Sequence, residues 1–341
     1  MVTAFIAMRD RLLHWQSAAD PTAEATESGH QVHLEGRQLE CVAVSPDAPD
    51  RVFVGTFEDG LHRSTDGGRT FEPLESADFV SDAVMSLTIS PHDPDTVYAG
   101  TEPSRVYRST DGGETWTHLE GLAELPSEDE WYFPPRPHTH HVRWLEVDPF
   151  DPDRLYVGIE AGALVLRDER EETWRERPDG SRIDNHSLAT HSEREGRVYS
   201  AAGDGYAQSD DGGDTWDHPQ EGLEHRYCWS VVPHPDDPDA VLVSSAAGAS
   251  SAHTAERAEA YVYRKAGTDE SWERLDGRGL PVGDGVVRSV FDLDGDRKAV
   301  YAVNNQGLFV SHDFGDSWDR AGIEWSEEFE AMTPRGLAVL P

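Results

Sequence analysis

Histidine, arginine and carboxylate side chains crowd a few short stretches of this chain, and those stretches are where chemistry would reside. Arg136-Pro137-His138-Thr139-His140-His141-Val142-Arg143 holds three imidazoles. His186 stands alone further on, and His225-Arg226-Tyr227 follows. Glu160 and Asp204 each come just after a β-rich run, and Asn305 falls at the equivalent place near the end. Imidazole nitrogens beside a carboxylate are a donor set for a divalent ion. His138, His140, His186 and Glu160 therefore form one candidate metal group. Their spacing matches no zinc signature, so hydrogen-bonding histidines and no resident cofactor are the first expectation, with a divalent metal as the alternative.

A second set appears when recurring segments are aligned on their Ser-Pro or Asp-Pro turns. At one aligned position stand Glu40, Met85, Arg143, His186, Trp229, Arg288 and Arg335. Two residues on, the position is apolar throughout: Val42, Leu87, Leu145, Leu188, Val231, Val290 and Leu337. Three arginines at one register would make a positive pocket in an acidic chain. Guanidinium groups match carboxylate or phosphate oxygens two at a time. Arg143, Arg288 and Arg335 are thus candidate ligand-binding residues, with His186, Trp229, His138, His140, His141 and Asn305 around them. Each arginine pairing with a nearby acid is the bland alternative. Trp131-Tyr132-Phe133 could stack on a ring-shaped ligand or fold down to anchor its own loop.

The elements that must position these residues are repeats. Ser64-Thr65-Asp66-Gly67-Gly68-Arg69-Thr70-Phe71 returns as Ser109 to Trp116, as Ser209 to Trp216 and as Ser311 to Trp318. Decayed copies end at Trp174 and Trp272. The closing aromatic at 71, 116, 174, 216, 272 and 318 gives gaps of 45, 58, 42, 56 and 46, the period of a propeller blade. Short Ser and Asp side chains cap turn amides, and glycine takes the left-handed backbone. The box aspartates are accordingly read as structural. Before each box come β-rich runs such as Cys41-Val42-Ala43-Val44 and Arg51-Val52-Phe53-Val54-Gly55, split by Pro/Asp turns.

This motif resembles the BNR/Asp-box repeat of sialidases and of wider sialidase-like, YVTN- and WD40-like propellers. The expected fold is all-β: one seven-bladed β-propeller spanning 1–341. Six blades lie within 37–321. The seventh is composite, made of 1–36 and 335–341, because the last residues read as an innermost strand and the first as the other three. Strands alternate in direction, so connections from one blade to the next share a face with those between second and third strands. The long segments 120–140, 248–260 and 322–334 all fall on that face, opposite the boxes. Only 17–30 falls on the other. Long loops on a rigid scaffold are where binding usually resides.

The expected function is a small-ligand site at the top of the central channel, for an anionic or sugar-like molecule. Sialidase resemblance implies an alternative, glycoside hydrolysis. It would use Arg143, Arg288 and Arg335 on a substrate carboxylate and Tyr227 paired with Glu160 or Glu40. The sequence departs from that family in lacking an Arg-Ile-Pro motif and in having seven blades. Glu160, His186, Tyr227 and Glu40 are the candidate catalytic groups. A metal-dependent hydrolase or lyase and a protein-interaction platform are the remaining alternatives.

Charge narrows the partners. With 29 basic and 66 acidic residues the net charge is −37, which disfavours nucleic acid and anionic membranes. An acidic chain with lysine only at 265 and 298 resembles cytoplasmic proteins of salt-accumulating archaea. Two cysteines, Cys41 and Cys228, far apart in sequence, suggest no disulfide framework and fit a reducing cytoplasm. No apolar run approaches the roughly 20 residues that span a bilayer, and the start of the chain has no signal-peptide pattern.

Overall fold

Runs such as Val52-Phe53-Val54 carry no polar alternation because both faces of the strand are buried. Successive side chains point to opposite faces. Val52 and Val54 pack toward one neighbouring sheet, and Phe53 toward the other. Val241 and Val243 diverge from Leu242 in the same way. The computed structural model describes residues 1–17, 29–74, 79 and 81–341, and repeats this arrangement seven times around a ring.

Each blade is an antiparallel sheet whose strands follow chain order from the channel outward. In the first blade these are Leu39–Ser45, Ala48–Thr56, Leu61–Ser64 and Glu72–Pro73. The innermost strands of the other six begin at Val84, Val142, Asn185, Tyr227, Val290 and Gly336. Each packs against the innermost strand of the next blade, so the ring closes. The closing blade is the composite one: Gly336–Leu340 pairs with Thr3–Ala7, followed by Leu12–Gln16 and Gln31–His33. The expected loop over 17–30 lies almost wholly outside the described residues.

The hydrophobic core sits between blades. Each of the seven blade interfaces has its own buried cluster. The boxes lock the outer turns. Ser64 Oγ donates to Asp66 Oδ1 (2.8 Å) and accepts from Gly68 N (2.9 Å). Asp66 Oδ1 accepts from Arg69 N and Thr70 N, and Oδ2 from Thr70 Oγ1. The hydrogen bonds from Thr70 hold the Asp66 carboxyl well below the usual range. The boxes of Asp111, Asp211 and Asp313 repeat these bonds. Gly68 has φ +81°, and a Cβ there would lie 2.3 Å from the Phe5 ring of the preceding blade. The glycine is what lets the turn close onto its neighbour.

Two blades depart from the plain pattern. The fourth has three strands, extended by a bridge between Gln208 and Asp217. The fifth gains Gly283–Asp284 alongside its third strand. Among the described residues helix is confined to single turns in the large loops, such as Ala249–Ala252 and Glu327–Glu330. No helix among the described residues is long and apolar enough to cross a membrane.

Candidate functional site

The aligned polar position at the head of each innermost strand is set by a backbone irregularity. Pairing skips one residue between Leu39 and Cys41, Val84 and Ser86, Val142 and Trp144, Asn185 and Ser187, and Cys228 and Ser230. The extra residues are Glu40, Met85, Arg143, His186 and Trp229. A bulge re-aims its side chain out of the pleat, which is how strands present residues to a site. Arg288 stands two residues before the regular strand of the sixth blade, and Arg335 one residue before that of the seventh. The repeated glycines make room for this crowded level. A Cβ on Gly55 would lie 2.5 Å from Cys41 Sγ, and one on Gly100 2.4 Å from Ser86 Oγ.

A cavity of about 430 Å³ opens above this ring, and all three long excursions border it. Phe133 and Arg136 come from the first, Ala249 and His253 from the second, Thr333 from the third. The sequence-derived candidates Glu40, His141, Arg143, Glu160, Tyr227, Trp229 and Arg335 line it as well. His186 and Arg288 lie directly behind, both fully buried, against Trp229. The His186 ring is 4.5 Å from the indole, and the Arg288 guanidinium 4.2 Å over it. The Arg143 guanidinium lies 4.8 Å from the same indole.

Pairing of the three arginines is sparse. Arg335 reaches Glu40 at 3.7 Å, and Arg143 reaches Glu160 at 3.7 Å. Arg288 Nη1 donates to Pro334 O at 2.6 Å, but its Nε and Nη2 are buried without a partner. Burial, then the charges of Arg335 and Arg143, push the Arg288 pKa well below its usual value.

The opposite wall holds carboxylates and imidazoles. His141 Nε2 contacts Glu160 Oε2 at 3.0 Å, and its Nδ1 lies 3.5 Å from Glu102. Burial works against the Glu160 charge. The His141 hydrogen bond and the His141, His186 and Arg143 charges outweigh it and keep the carboxyl well below its normal range. Asp184 is raised by burial and by the Glu160 charge, against the opposing pull of His186. Burial, reinforced by Arg288, lowers His253 to about 2, and its neutral ring shares a hydrogen bond between Nε2 and the Tyr227 hydroxyl (3.1 Å).

Several sequence candidates lie elsewhere. His138 is exposed and borders no part of the cavity. His140 turns to Glu128 (3.1 Å) and to the edge of Trp131. Asn305 is buried and spends its amide on backbone: Oδ1 accepts from Val287 N, and Nδ2 donates to Gly285 O and Glu330 O. It fastens the loops. The aromatic trio divides: Trp131 anchors its loop through Ser127, Tyr132 is exposed, and Phe133 packs on His141 at the cavity. Tyr227 makes no hydrogen bond to a carboxylate among the described residues, so the sialidase-type Tyr–Glu pair is not formed. Asp184, His253 and Glu102 were not among the candidates. Asp184 stands two residues before the aligned His186, the one local signal that could have found it. His253 is a lone histidine in a loop, with no pattern to mark it.

The BNR/Asp-box repeat model matches residues 107–118, the box of the second blade. The chain is a seven-bladed β-propeller that carries a BNR/Asp-box repeat. No curated protein matches it by sequence. Among solved structures, the GH74 enzyme of Niastella koreensis superposes with a TM-score of 0.70 at 17% identity. The match covers 94% of this propeller and 52% of that enzyme. The GH74 xyloglucanase of Xanthomonas campestris gives 0.64 at 15% identity, covering 92% and 52%. This propeller therefore spans about half the length of those enzymes. YCF48 bound to D1 peptide gives 0.60 at 14% identity, covering 89% and 92%. At such identities the likeness establishes the fold alone.

Proposed function

We propose that this propeller binds a small carboxylate- or phosphate-bearing ligand in the cavity at the channel mouth. The carrying observation is Arg288: a fully buried guanidinium with two unpartnered nitrogens, stacked with Arg143 on Trp229 and repelled by the charges of Arg335 and Arg143. A buried cation without a counter-ion is unfavourable, and a bound anion relieves that cost. Phe133 and Trp229 offer apolar surface for the body of the ligand, and a cavity of about 430 Å³ suits a small molecule. The same fold occurs in a GH74 xyloglucanase and in YCF48 bound to D1 peptide, which supports a binding role for a propeller of this kind.

Calorimetric titration with acetate, di- and tricarboxylates and phosphate tests the reading. Wild type should bind at least one class, and Arg143→Gln with Arg335→Gln should abolish the heat. Equal binding by wild type and the double variant rejects the site.

One observation favours glycoside hydrolysis as a second reading. Glu160 and Asp184 bring carboxylate oxygens within 4.8 Å of each other, near the roughly 5 Å carboxyl spacing of retaining glycosidases. Release of sugar from aryl glycosides, lost in Glu160→Gln, would establish it. No turnover on any of them removes it.

A further inference from the structure

His186 is held in a way that its hydrogen bonding alone does not explain. Its side chain is fully buried. Nδ1 lies 2.6 Å from the carbonyl of Cys228, which makes Nδ1 the protonated nitrogen and aims Nε2 at two carboxylates. Nε2 sits 3.7 Å from Asp184 Oδ1 and 4.0 Å from Glu160 Oε1, beyond hydrogen-bond reach of both, and it has no other partner. Nε2 facing two carboxylates calls for positive charge at that point, either a proton on the imidazole or a cation held among the three groups, and separations of 3.7 and 4.0 Å are too long for a proton's hydrogen bonds.

We propose that Glu160, Asp184 and His186 bind one divalent transition-metal ion. Their donor atoms lie within 4.8 Å of one another. Donors around an ion at about 2.1 Å stand roughly 3.0–3.4 Å apart, so a contraction of an ångström or so completes the site. Each donor already has the supporting bond that orients a ligand. Cys228 O fixes the His186 tautomer, His141 holds Glu160 Oε2 and leaves Oε1 toward His186, and Ala161 N holds Asp184 Oδ1 at 2.8 Å. One nitrogen and two oxygens suit zinc, manganese, iron or cobalt better than copper(I), which prefers sulfur. Glu160 and Asp184 both border the cavity, so open coordination positions face the space where the anion is proposed to lie. The site does not depend on that ligand: the arginines can fail to bind an anion while the ion still binds, and the reverse.

The test uses the metal alone. The chain's acidic surface collects cations indiscriminately, so Zn²⁺ and Mn²⁺ are titrated in about 1 M salt, where the screening length is about 3 Å. Metal content after dialysis is measured in parallel. Wild type should retain one ion per chain. Asp184→Asn and Glu160→Gln should each weaken binding by roughly 100-fold or more, beyond the 10–100-fold that loss of a supporting bond costs. Asp313→Asn, on a box at the other face, should bind as wild type does. Circular dichroism confirms that the variants are folded. Absence of a stoichiometric ion in wild type overturns the proposal. So does undiminished binding by folded Asp184→Asn and Glu160→Gln.

Discussion

Replacing Arg288 by methionine should stabilise the ligand-free propeller and remove its response to anions. The guanidinium is 0% exposed, and only one of its nitrogens has an acceptor. Desolvating such a cation costs several kcal/mol. The charge-assisted bond to Pro334 O returns about 1.5–3 kcal/mol. Stacking at 4.2 Å over Trp229 adds about 1–2 kcal/mol. Arg143 and Arg335 then subtract by repulsion. The sum is neutral to unfavourable. Methionine matches the length, packs under the indole and needs no acceptor. Arg288→Met should therefore be more stable than wild type by about 1–2 kcal/mol, roughly 1–3 °C in melting temperature for a chain of this size. Saturating carboxylate should reverse the order. Wild type gains about 2.7 kcal/mol at a hundredfold excess over Kd, and the variant gains nothing. Scanning calorimetry with and without ligand reads both effects. A ligand-free loss above about 2 kcal/mol, as for ordinary truncation of a large buried side chain, would refute the reasoning. An equal ligand-induced gain in both proteins would do the same.

Two further predictions concern the scaffold. Glu146 and Asp292 are half-buried on innermost strands, and burial raises both carboxyls to about 7. Their folded values exceed the unfolded ones, so their contribution is fully present below about pH 4 and is lost as pH rises toward 7. Asp292→Asn keeps one acceptor for Val339 N and gives up the Leu293 N bond at all pH values, so the pH-dependent part is the readout: relative to wild type it should gain about 2–4 kcal/mol between pH 4 and pH 8. Parallel urea midpoints for the two proteins across that range would contradict this. The box carboxyls Asp211 and Asp313 are lowered because hydrogen bonds from Thr215 and Ser317 outweigh their desolvation, so their contribution has the opposite sign and falls away on the acid side. The net charge of −37 should make stability rise with salt from about 0.1 to 1 M, as the screening length shrinks from about 10 to 3 Å. A melting temperature that is flat or falls over that range would show that self-repulsion is not significant.

The fold was legible because its instructions are local and repeated. Ser64, Asp66 and Thr70 close a turn using only atoms within the eight-residue box, and four such boxes announce the period without any long-range contact. The composite blade was legible for a related reason: Gly336–Leu340 has the pattern of an innermost strand and no outer partners after it, while Thr3–Ala7 lacks one before it. The site was only half legible. Alignment to the turns found the ring of Glu40, Arg143, His186, Trp229, Arg288 and Arg335, because a fixed distance from the turn preserves register from blade to blade, at a bulge in the first four and just before the strand in the two last arginines.

What the register could not give is everything the loops contribute. His138 and His140 looked equivalent to His141, yet only His141 reaches Glu160. The chain re-enters the sheet at Val142, and the two earlier histidines belong to a loop fastened outward by the Ser127–Glu176 and His140–Glu128 contacts. His253 enters from a separate excursion, pinned by Thr333 from the next large loop. Position in a strand is set by neighbours two residues away. Position in a loop is set by contacts tens of residues distant, as between Ser127 and Glu176 or His253 and Thr333. The ligand-facing residues supplied by strands can therefore be read from a repeat, and those supplied by loops require coordinates. The mouth combines both kinds. The strand-borne arginines fix the charge the cavity demands, and the loop-borne Phe133, Arg136 and His253 fix the shape it accepts. Substitution at the first kind should change whether an anion binds, and at the second kind which anion binds.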